Sequence, residues 1–253
     1  MGFVGKAIFH GFSLFNETKG YDVDPKKSPN TLEDTLKSDF IFVCLPTPSS
    51  ENGEADLSYI WNFFQTIEDK SPIFILKSTV PIGTTKKLEK EFSIKIVHNP
   101  EFLSARTADI DFLTQSRVIL GFNDDNIGEL VANLFSNRFQ GINLVKMNSD
   151  ESELVKYFLN CFFATKITFF NEVRLLSDKI GLDWNNVMRG VLSDGRIEKL
   201  HTDVPGHDGK FGFGGACFPK DTLALSKVFE EYKIKPLVLN ATIEQNKNIR
   251  NGD

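Results

Sequence analysis

The pattern of apolar residues changes abruptly at Met147, and this change limits the folds that the chain can adopt. Between residues 39 and 147, short apolar runs alternate with segments in which apolar residues recur every three to four positions. This alternation is typical of βαβ units, in which helices connect parallel strands and cover the sheet. After residue 147 the pattern is helical. We therefore predict an α/β domain with a doubly wound parallel sheet over residues 1–147 and an all-helical domain over residues 148–253.

Individual elements follow from the same periodicity. Runs rich in β-branched residues predict five strands, at 40–45, 73–76, 94–97, 117–121 and 142–145. Amphipathic segments predict helices at 57–67, 84–92 and 125–135 in the first domain and at 184–192, 222–232 and 237–249 in the second. A glycine-rich loop is expected between residues 194 and 215.

A single long helix is predicted at the start of the second domain. Residues 148–150 supply N-cap side chains, and the helical pattern then continues without a break until Gly181. About thirty residues at 1.5 Å each give a length of roughly 45 Å. Apolar residues occupy more than one side of this helix, and one side includes Leu154, Phe158 and Phe162. We expect a central helix buried on several faces, with a second copy of the chain as part of its cover, and hence a homodimer.

Composition excludes several classes of protein. The chain has 253 residues with 29 Lys+Arg against 34 Asp+Glu and no basic cluster, so nucleic acid is not an expected partner. The three cysteines lie far apart in sequence, which argues against a disulfide framework and a zinc site and favours a reducing compartment, the cytoplasm. No run reaches the roughly 18 apolar residues of a membrane span, so no membrane association is expected.

The first five residues, Met-Gly-Phe-Val-Gly, match the last five positions of the dinucleotide-binding motif G-x-G-x-x-G. In that motif the glycines allow a strand to turn tightly into a helix whose N–H groups meet a pyrophosphate. Gly2, Val4 and Gly5 are therefore candidates for dinucleotide binding, with an ordinary helix start as the alternative. Asp22 follows an apolar residue and lies at about the distance in sequence from the glycines that is expected of the acid that binds the adenosine ribose. An ordinary turn aspartate is the alternative.

Cys217 stands in a setting that favours a reactive thiol. The segment 211–221, Phe-Gly-Phe-Gly-Gly-Ala-Cys-Phe-Pro-Lys-Asp, places three glycines before the cysteine and a cation and an anion after it. Glycines allow close approach of a ligand to the backbone, and a helix that starts near Pro219 directs its positive end towards the sulfur. Such a setting favours the thiolate and makes a nucleophile. A buried structural cysteine is the alternative.

Lys156 and Asn160 lie four residues apart on the long helix and therefore share a face. Their neighbours, among them Val155, Tyr157 and Leu159, are apolar, which predicts that both polar side chains are largely buried and need partners. A lysine held away from water can trade a proton or stabilise an oxyanion. A solvated stripe of polar residues is the alternative.

Five segments, in order along the chain, resemble the UDP-glucose 6-dehydrogenase family of nucleotide-sugar dehydrogenases. They are Lys-Ser-Thr-Val-Pro-Ile-Gly-Thr (77–84), His-Asn-Pro-Glu-Phe-Leu (98–103), Glu-Leu-Val-Lys-Tyr-Phe-Leu-Asn (153–160), Val-Pro-Gly-His-Asp-Gly-Lys (204–210) and Gly-Phe-Gly-Gly-Ala-Cys-Phe-Pro-Lys-Asp (212–221). The resemblance covers nearly the whole chain. It implies an NAD-binding Rossmann domain and a helical dimerisation domain, and the oxidation of the C6 alcohol of a UDP-sugar to a carboxylate in two hydride transfers.

The same resemblance implies roles for individual residues. Cys217 would capture the aldehyde as a thiohemiacetal that becomes a thioester, and Glu101 and Thr79 would position the hydrolytic water and manage its proton. The residues implied to hold the reacting oxygen and its proton relay are Lys156, Asn160 and Asp221. The residues implied to contact NAD are Gly2, Val4, Gly5, Asp22, Thr47 of the Pro-Thr-Pro loop, Thr79, and Lys220 beside the sulfur. The residues implied to contact the sugar nucleotide are Glu101, Phe102, Leu103, Lys156, Asn160, Phe211, Gly214, Cys217 and, across the dimer interface, Arg196. No metal is implied.

The chain departs from the family's pattern at several points. The first glycine of the dinucleotide motif and the strand before it are missing. About fourteen residues separate Asp24 from Asp39, so a helix near the adenosine, and a strand with it, are expected to be lost. Ala105 stands where many relatives carry a second glutamate. The chain stops at Asp253, so the family's C-terminal UDP-binding domain is expected to be absent.

Two other functions remain open. A β-hydroxyacid-type dehydrogenase has a similar fold and a similar Lys-x-x-x-Asn helix, but its two-electron chemistry has no need of a nucleophilic thiol, so Cys217 is the feature that discriminates. The second alternative is a shortened, catalytically impaired dimeric binding protein that keeps the family core.

Overall fold

Two compact units make up the protein in the computed structural model, which describes residues 1–251. Unit 1 contains residues 1–48 and 55–156, and unit 2 contains residues 49–54 and the described residues from 157 onwards. The boundary falls at residue 156, inside a continuous helix, whereas the sequence pattern changes at residue 147. The first turns of that helix belong to unit 1 because their side chains bond to its loops. The last two residues of the predicted second domain lie outside the described residues.

Unit 1 is an α/β unit. Its strands are β1 (Phe40–Val43), β2 (Ile73–Leu76), β3 (Lys95–His98), β4 (Arg117–Gly121) and β5 (Asn143–Met147). Its helices are α1 (Phe3–Ser13), α2 (Leu32–Leu36), α3 (Ser58–Thr66), α4 (Thr84–Phe92), α5 (Ala108–Leu113) and α6 (Asp125–Arg138). The five predicted strands are confirmed, and each of their ends lies within about two residues of the prediction, the usual error of such bounds.

The five strands form one sheet in the order β1-β2-β3-β4-β5. β1, β2 and β3 are parallel, as are β4 and β5, but β3 and β4 are antiparallel and share the single pair His98–Gly121. The α/β fold is therefore confirmed, while the prediction of a wholly parallel sheet is wrong at this junction. A parallel crossover must return along the sheet, usually through a helix, and the connection after β3 contains only the six-residue helix α5.

Helices cover both faces of the sheet. On one face Leu120 packs in a core with residues of α1, α5 and α6, and on the other Phe74 packs with residues of α3 and α4. Helix α1 approaches α5 closely at Gly11, where a Cβ would collide with the ring of Phe112. A larger residue at position 11 would therefore push α1 away from the core.

Three helices of unit 1 are absent from the predicted elements. The sequence indicates α1 only as a helix start after Gly2, and the five residues of α2 and six of α5 are too few to display a helical period. The segment between Asp24 and Asp39, where a helix is predicted to be lost, still holds α2 and a 3-10 turn (Pro25–Lys27). In the part of the chain that the structure describes, no strand precedes β1.

Unit 2 is helical. It contains most of α7 (Ser149–Lys179), together with α8 (Trp184–Val191), α9 (Phe218–Glu231) and α10 (Leu237–Asn251). Helix α7 is the predicted long helix, and its 31 residues give a length of about 46 Å. The core of the unit is small: Tyr157 and Cys161 of α7 pack with Leu225 of α9 and Leu239 of α10.

One face of α7 is not covered by the described residues of the chain. Phe158, Phe162 and Phe169 are exposed by 63%, 54% and 61% of their surface, and Leu154 is also exposed. The sequence analysis expects a second copy of the chain to cover part of this helix, and the dimer stays a prediction, because the described helices of unit 2 pack elsewhere on α7. Among helices of residues 1–251, none combines the length and apolar character needed to cross a membrane.

Candidate active site

Lys156, near the start of α7, is anchored to the loop that follows β3. Its Nζ donates to the main-chain oxygen of Glu101 over 2.6 Å and lies 3.2 Å from Oε1 of the same residue. The two side chains are only 4% and 10% exposed. Nζ also lies 5.1 Å from the centre of the Phe102 ring. The predicted burial of Lys156 is confirmed, and Glu101 supplies the partner that a buried ammonium needs.

The loop of Glu101 is held in a defined shape. The second carboxylate oxygen of Glu101 accepts a hydrogen bond from the N–H of Leu103 at 2.7 Å. The guanidinium of Arg117 lies 5.3 Å from the ring centre of Phe102, a distance at which a cation is attracted to the ring. The structure therefore brings Glu101, Phe102 and Leu103, which are predicted to contact substrate, together with Lys156.

A second buried lysine lies behind this loop. Nζ of Lys77 donates to Oδ1 of Asn99 at 2.6 Å, and Nδ2 of Asn99 donates to the main-chain oxygen of Ile119 at 2.7 Å. Burial lowers the pKa of Lys77 to about 8. Lys77 and Asn99 both lie in segments that resemble the family, but the sequence analysis assigns a role to neither.

The loops that follow β1 and β2 are joined beside Thr79. The hydroxyl of Thr47, in the Pro-Thr-Pro segment, donates to the main-chain oxygen of Thr79 at 2.8 Å. The hydroxyl of Ser78 donates to the main-chain oxygen of Leu45 at 2.6 Å. Both threonines are buried. Two residues predicted to contact NAD are thus neighbours.

The turn of α7 that carries Lys156 is fixed by two residues that the sequence analysis missed. The carboxylate of Glu153 caps α4, accepting from the N–H of Gly83 at 2.6 Å and from the N–H and hydroxyl of Thr85 at 2.8 and 2.6 Å. Oγ of Ser152 lies 2.6 Å from Nδ1 of His98. Burial raises the pKa of Glu153 to about 7 and lowers that of His98 to about 3. The sequence analysis includes Glu153 only as the first residue of the segment 153–160 and gives it no role.

Helix α7 approaches the sheet closely at Gly121, the last residue of β4. A Cβ at this position would collide with the side chain of Ser152. The absence of a side chain therefore allows the hydrogen bond between Ser152 and His98 to form. Gly121 contributes to the position of Lys156 although it lies outside every predicted motif.

The N-terminus of α1 is the predicted site for the pyrophosphate of a dinucleotide. Gly2 is the N-cap, the first turn holds no acidic residue, and a Cβ at Gly2 would meet nothing within 4 Å. The first N–H groups of a helix have no partner within the helix and bind anions, and the open space over Gly2 lets a phosphate approach them. Val4 and Gly5, the other predicted contacts, lie in the same turn.

Asp22, the predicted ligand of the adenosine ribose, lies against the start of the chain. One carboxylate oxygen is 3.0 Å from the ammonium of Met1, and the other accepts from the N–H of Asp24 at 2.8 Å. The hydrogen bond from Asp24 and, to a smaller extent, the ammonium hold the pKa of Asp22 below its usual value. The carboxylate is therefore ionised and lies close to the first residue of the dinucleotide motif.

Asp221, in the first turn of α9, is the centre of a buried polar cluster in unit 2. Its Oδ2 accepts from Nδ2 of Asn160 at 2.6 Å, and its Oδ1 pairs with Nζ of Lys220 at 2.5 Å. The side chain of Asp221 is 1% exposed, and its main-chain oxygen accepts from the thiol of Cys161 at 3.6 Å. The structure thus joins three predicted site residues and buries Asn160 as predicted.

Cys217 occupies the N-cap position of α9, and Pro219 stands in the first turn. The predicted helix start near Pro219 is confirmed. The cysteine is partly exposed, and the N-terminal N–H groups of α9 follow it directly. Partial positive charge at a helix N-terminus favours a thiolate, so the fold supports the nucleophilic character inferred for Cys217.

The glycine-rich loop before Cys217 is held by two asparagines that the sequence analysis missed. Oδ1 of Asn171 accepts from the N–H of Gly212 at 2.8 Å. Oδ1 of Asn246 accepts from the N–H of Phe213 at 2.7 Å, and its Nδ2 donates to the oxygen of Phe213 at 3.0 Å. Gly212 has a φ of +71°, in the left-handed region that favours glycine. Neither asparagine belongs to a recognisable motif, so only the fold brings them to the loop.

Gly214 and Phe211 lie in the same loop. A Cβ at Gly214 would lie 2.7 Å from Nη2 of Arg250, so the guanidinium packs where a side chain would otherwise be. Phe211 is half-buried. Arg196 lies in a different stretch of unit 2: its side chain is 89% exposed, and its guanidinium pairs with Asp194 at 2.6 Å. Within residues 1–251, the contact that the structure gives for the Arg196 side chain is thus with Asp194 and not with another predicted contact of the sugar nucleotide. In the described part of the chain, no three His, Cys, Asp or Glu side chains form a group that could hold a metal ion.

Comparison with known proteins identifies relatives over most of the chain. Residues 26–139 match the NAD binding domain of the UDP-glucose/GDP-mannose dehydrogenase family, and residues 150–248 match its central domain. The UDP-glucose 6-dehydrogenase of Rickettsia typhi is 37% identical over 218 residues, which are 83% of this chain and 49% of that protein. The UDP-glucose 6-dehydrogenase TuaD of Bacillus subtilis is 32% identical over 224 residues, 84% of this chain and 47% of that protein. The chain thus spans about half the length of these relatives.

A solved structure gives the same result for the fold. A UDP-glucose dehydrogenase from the archaeon Pyrobaculum islandicum superposes with a TM-score of 0.87 at 28% identity. The superposition covers 98% of this chain and 66% of that one.

Proposed function

The chain belongs to the UDP-glucose/GDP-mannose dehydrogenase family, and we propose that it oxidises the C6 alcohol of UDP-glucose to the carboxylate of UDP-glucuronate with NAD. The observation that carries the proposal is the position of Cys217 at the N-terminus of α9. The first turn of the same helix holds Asp221, which is bound to Asn160 and Lys220. A two-electron dehydrogenase has no use for such a thiol, whereas oxidation to an acid through a thioester uses it as the acyl carrier.

The reaction removes four electrons from the sugar. The hydroxyl proton and a hydride leave the C6 alcohol, and an aldehyde forms. The thiol of Cys217 adds to the aldehyde carbon to give a thiohemiacetal, and the loss of a second hydride gives a thioester. Water then replaces sulfur at the acyl carbon. The balance is RCH2OH + 2 NAD⁺ + H2O → RCOO⁻ + 2 NADH + 3 H⁺.

Lys156 is proposed to stabilise the negative charge that develops on the reacting oxygen. Its ammonium is buried and held by Glu101, and a charge fixed in advance in a water-poor site stabilises an oxyanion strongly. Asn160 lies one turn further along α7 and bonds to the carboxylate of Asp221. Asp221 is the proposed acceptor of the alcohol proton, with Lys220 beside it.

NAD supplies the hydride-accepting chemistry when it is bound. The N-terminal turn of α1, with Gly2, Val4 and Gly5, is assigned to its pyrophosphate because that turn has free N–H groups and open space. Asp22 is assigned to the adenosine ribose. The further proposed contacts are Thr47, Thr79 and Lys220.

Hydrolysis of the thioester is assigned to Glu101 and Thr79. Glu101 is a buried carboxylate whose oxygens are oriented by Lys156 and by the N–H of Leu103, and an oriented carboxylate can accept a proton from water as it attacks. Phe102 and Leu103 in the same loop, with Phe211 and Gly214, are the proposed contacts of the sugar nucleotide.

We further infer that the protein acts as a homodimer. The exposed aromatic face of α7 contains Phe158, Phe162 and Phe169, and groups of exposed large apolar residues mark protein–protein contacts. Pairing of two such faces about a two-fold axis would cover both. Arg196 is exposed and is the proposed contact with the sugar nucleotide bound by the other subunit.

The proposal is tested by calorimetric titration of the protein with UDP-glucose and with NAD, followed by analysis of the products. We expect saturable binding of both compounds and two NADH for each UDP-glucuronate. One NADH for each molecule of a β-hydroxy acid, with UDP-glucose inert, would replace the proposal by the two-electron alternative. Binding of both compounds without any NADH would identify a binding protein.

A further inference from the structure

A cavity of about 200 Å³ lies behind the loop of Glu101 in unit 1. Its walls are Lys77 at the end of β2, the loop 99–103, and the segment 111–119 that leads into β4. This volume is equivalent to roughly seven molecules of liquid water at about 30 Å³ each. Glu101 therefore borders the cavity while its carboxylate also pairs with Lys156.

The walls carry polar groups that protein atoms do not satisfy. Nε2 of Gln115 is buried and has no hydrogen-bond partner among residues 1–251. The buried Nζ of Lys77 donates to Oδ1 of Asn99, which uses one of the three N–H groups that an ammonium offers. An apolar occupant would leave these donors unpaired, and buried donors without partners are rare because they are unfavourable. The occupant is therefore polar.

The charged side chains that line the cavity further limit which molecules can occupy it. Two carboxylates, Glu101 and Asp111, line the cavity together with the cations Lys77 and Arg117. An anion would face both carboxylates, and a cation would face both cations. A small neutral molecule that donates and accepts hydrogen bonds can bond to all four charged side chains. Water is such a molecule.

We propose that this cavity stores water and delivers it to Glu101, so that it supplies the water consumed when the thioester is hydrolysed. The inference rests on the proposed function. Gln115 and Lys77 are proposed as positioning residues, because their role in this scheme is to hold the water. In the hydrolytic step the water oxygen bonds to the acyl carbon, the C–S bond breaks, one proton returns to the sulfur of Cys217, and the acid loses the other proton through Glu101.

Gln115→Met is the test variant because methionine keeps the length of the side chain and removes its amide. After rapid mixing of this variant with UDP-glucose and NAD, the first two NADH per site should form at the wild-type rate. The steady-state rate of NADH formation should then be about fivefold lower than in wild type, which corresponds to the loss of one ordinary hydrogen bond. Gln115→Asn, which keeps an amide, should recover most of the steady-state rate. Gln65→Met, at an exposed position of α3, is the matched control and should behave as wild type.

Equal slowing of the burst and the steady state in Gln115→Met would overturn the proposal, because the amide would then support the loop and not the water. An unchanged steady state would also overturn it. Magnetic relaxation dispersion of the solvent nuclei counts long-lived internal waters and does not depend on catalysis. It therefore tests the stored water independently of the proposed function. We expect Gln115→Met to lose at least one such water, and a count equal to wild type would refute the stored water even in a protein that makes no NADH.

Discussion

The ammonium of Lys156 lies 2.6 Å from the main-chain oxygen of Glu101 and 3.2 Å from its carboxylate. Replacement of Lys156 by methionine keeps most of the apolar stem and removes the charge that would stabilise an alkoxide. We expect the turnover of UDP-glucose, measured as NADH formed at saturation, to fall by about 10²–10³-fold.

The matched control is Lys179→Met, at the exposed far end of α7, which should keep wild-type turnover. The unfolding free energy of both variants is measured as well, because Lys156→Met leaves Glu101 buried without its partner. Near-normal turnover of Lys156→Met with an unaltered pH dependence would identify a purely structural lysine.

Cys217→Ala tests the covalent step. Only a small, partly exposed side chain at the start of α9 is lost, so the fold should be retained while UDP-glucuronate disappears from the products analysed by mass spectrometry. Cys44→Ala is the control: burial raises the pKa of Cys44 to about 12, so its thiol is unreactive at neutral pH. Normal acid production by Cys217→Ala would remove the thioester from the mechanism.

Phe158→Asp tests the assembly. The residue is 63% exposed in the single chain, so a charge there costs little in the monomer but would be buried against the partner in the proposed dimer. Light scattering across a dilution series should show the dimer dissociating at a concentration at least about tenfold higher than for wild type. Tyr232→Asp, at an exposed aromatic residue beyond the end of α9, should leave the dimer intact. A wild-type monomer at micromolar concentration would contradict the proposed dimer.

Arg196→Ala tests the contact between subunits. Because this side chain is 89% exposed and pairs only with Asp194 among the contacts observed for it, its loss should leave the fold and the dimer unchanged. Calorimetry should show UDP-glucose binding about tenfold weaker, the usual scale for a charged hydrogen bond to a phosphate. Arg189→Ala, at another exposed arginine of unit 2, is the control. Equal affinities of the two variants would exclude Arg196 from the binding site.

His98 predicts how stability depends on pH. Burial lowers its pKa from 6.5 to about 3, so the folded protein keeps the ring neutral while the unfolded chain takes up a proton below pH 6.5. The contribution of His98 is therefore complete above its unfolded pKa and is lost as the pH falls. Relative to His98→Gln, the wild-type unfolding free energy should fall by about 1.5 kcal/mol between pH 6.5 and pH 5.

Urea unfolding of both proteins at the two pH values measures this difference. His207→Gln, at an exposed histidine, is the control and should follow wild type. If His98→Gln and wild type lose the same unfolding free energy in acid, the ring of His98 takes up a proton in the folded state.

The elements of the fold could be predicted where their periodicity is long. Helix α7 and all five strands follow from local patterns of apolar residues because those patterns report which side of an element is buried. The direction of β4 could not be predicted, since it depends on the path of the residues between His98 and Arg117, and no local pattern encodes that path.

The candidate site divides in the same way. Cys217, Lys156 and Asn160 could be singled out as candidates because the residues next to them in sequence indicate a helix start or a buried helix face, although the partners of Lys156 and Asn160, Glu101 and Asp221, lie far away in sequence. Gly121 and Asn246 could not, because each acts on a segment far away in sequence: Gly121 makes room for Ser152, and Asn246 bonds to Phe213. Their importance arises only when the chain has folded.

The single pair His98–Gly121 joins β3 to β4. Where the ladder of hydrogen bonds in a sheet is interrupted, the parts on either side can open as separate units. The amide of Asn99, which bonds to Ile119, adds one more link at this junction. The sheet therefore consists of two blocks that can fray separately. The loops of Thr47, Thr79 and Glu101 all extend from the block β1–β3. Fraying of β4 and β5 would therefore not pass directly along the main-chain ladder to these three loops.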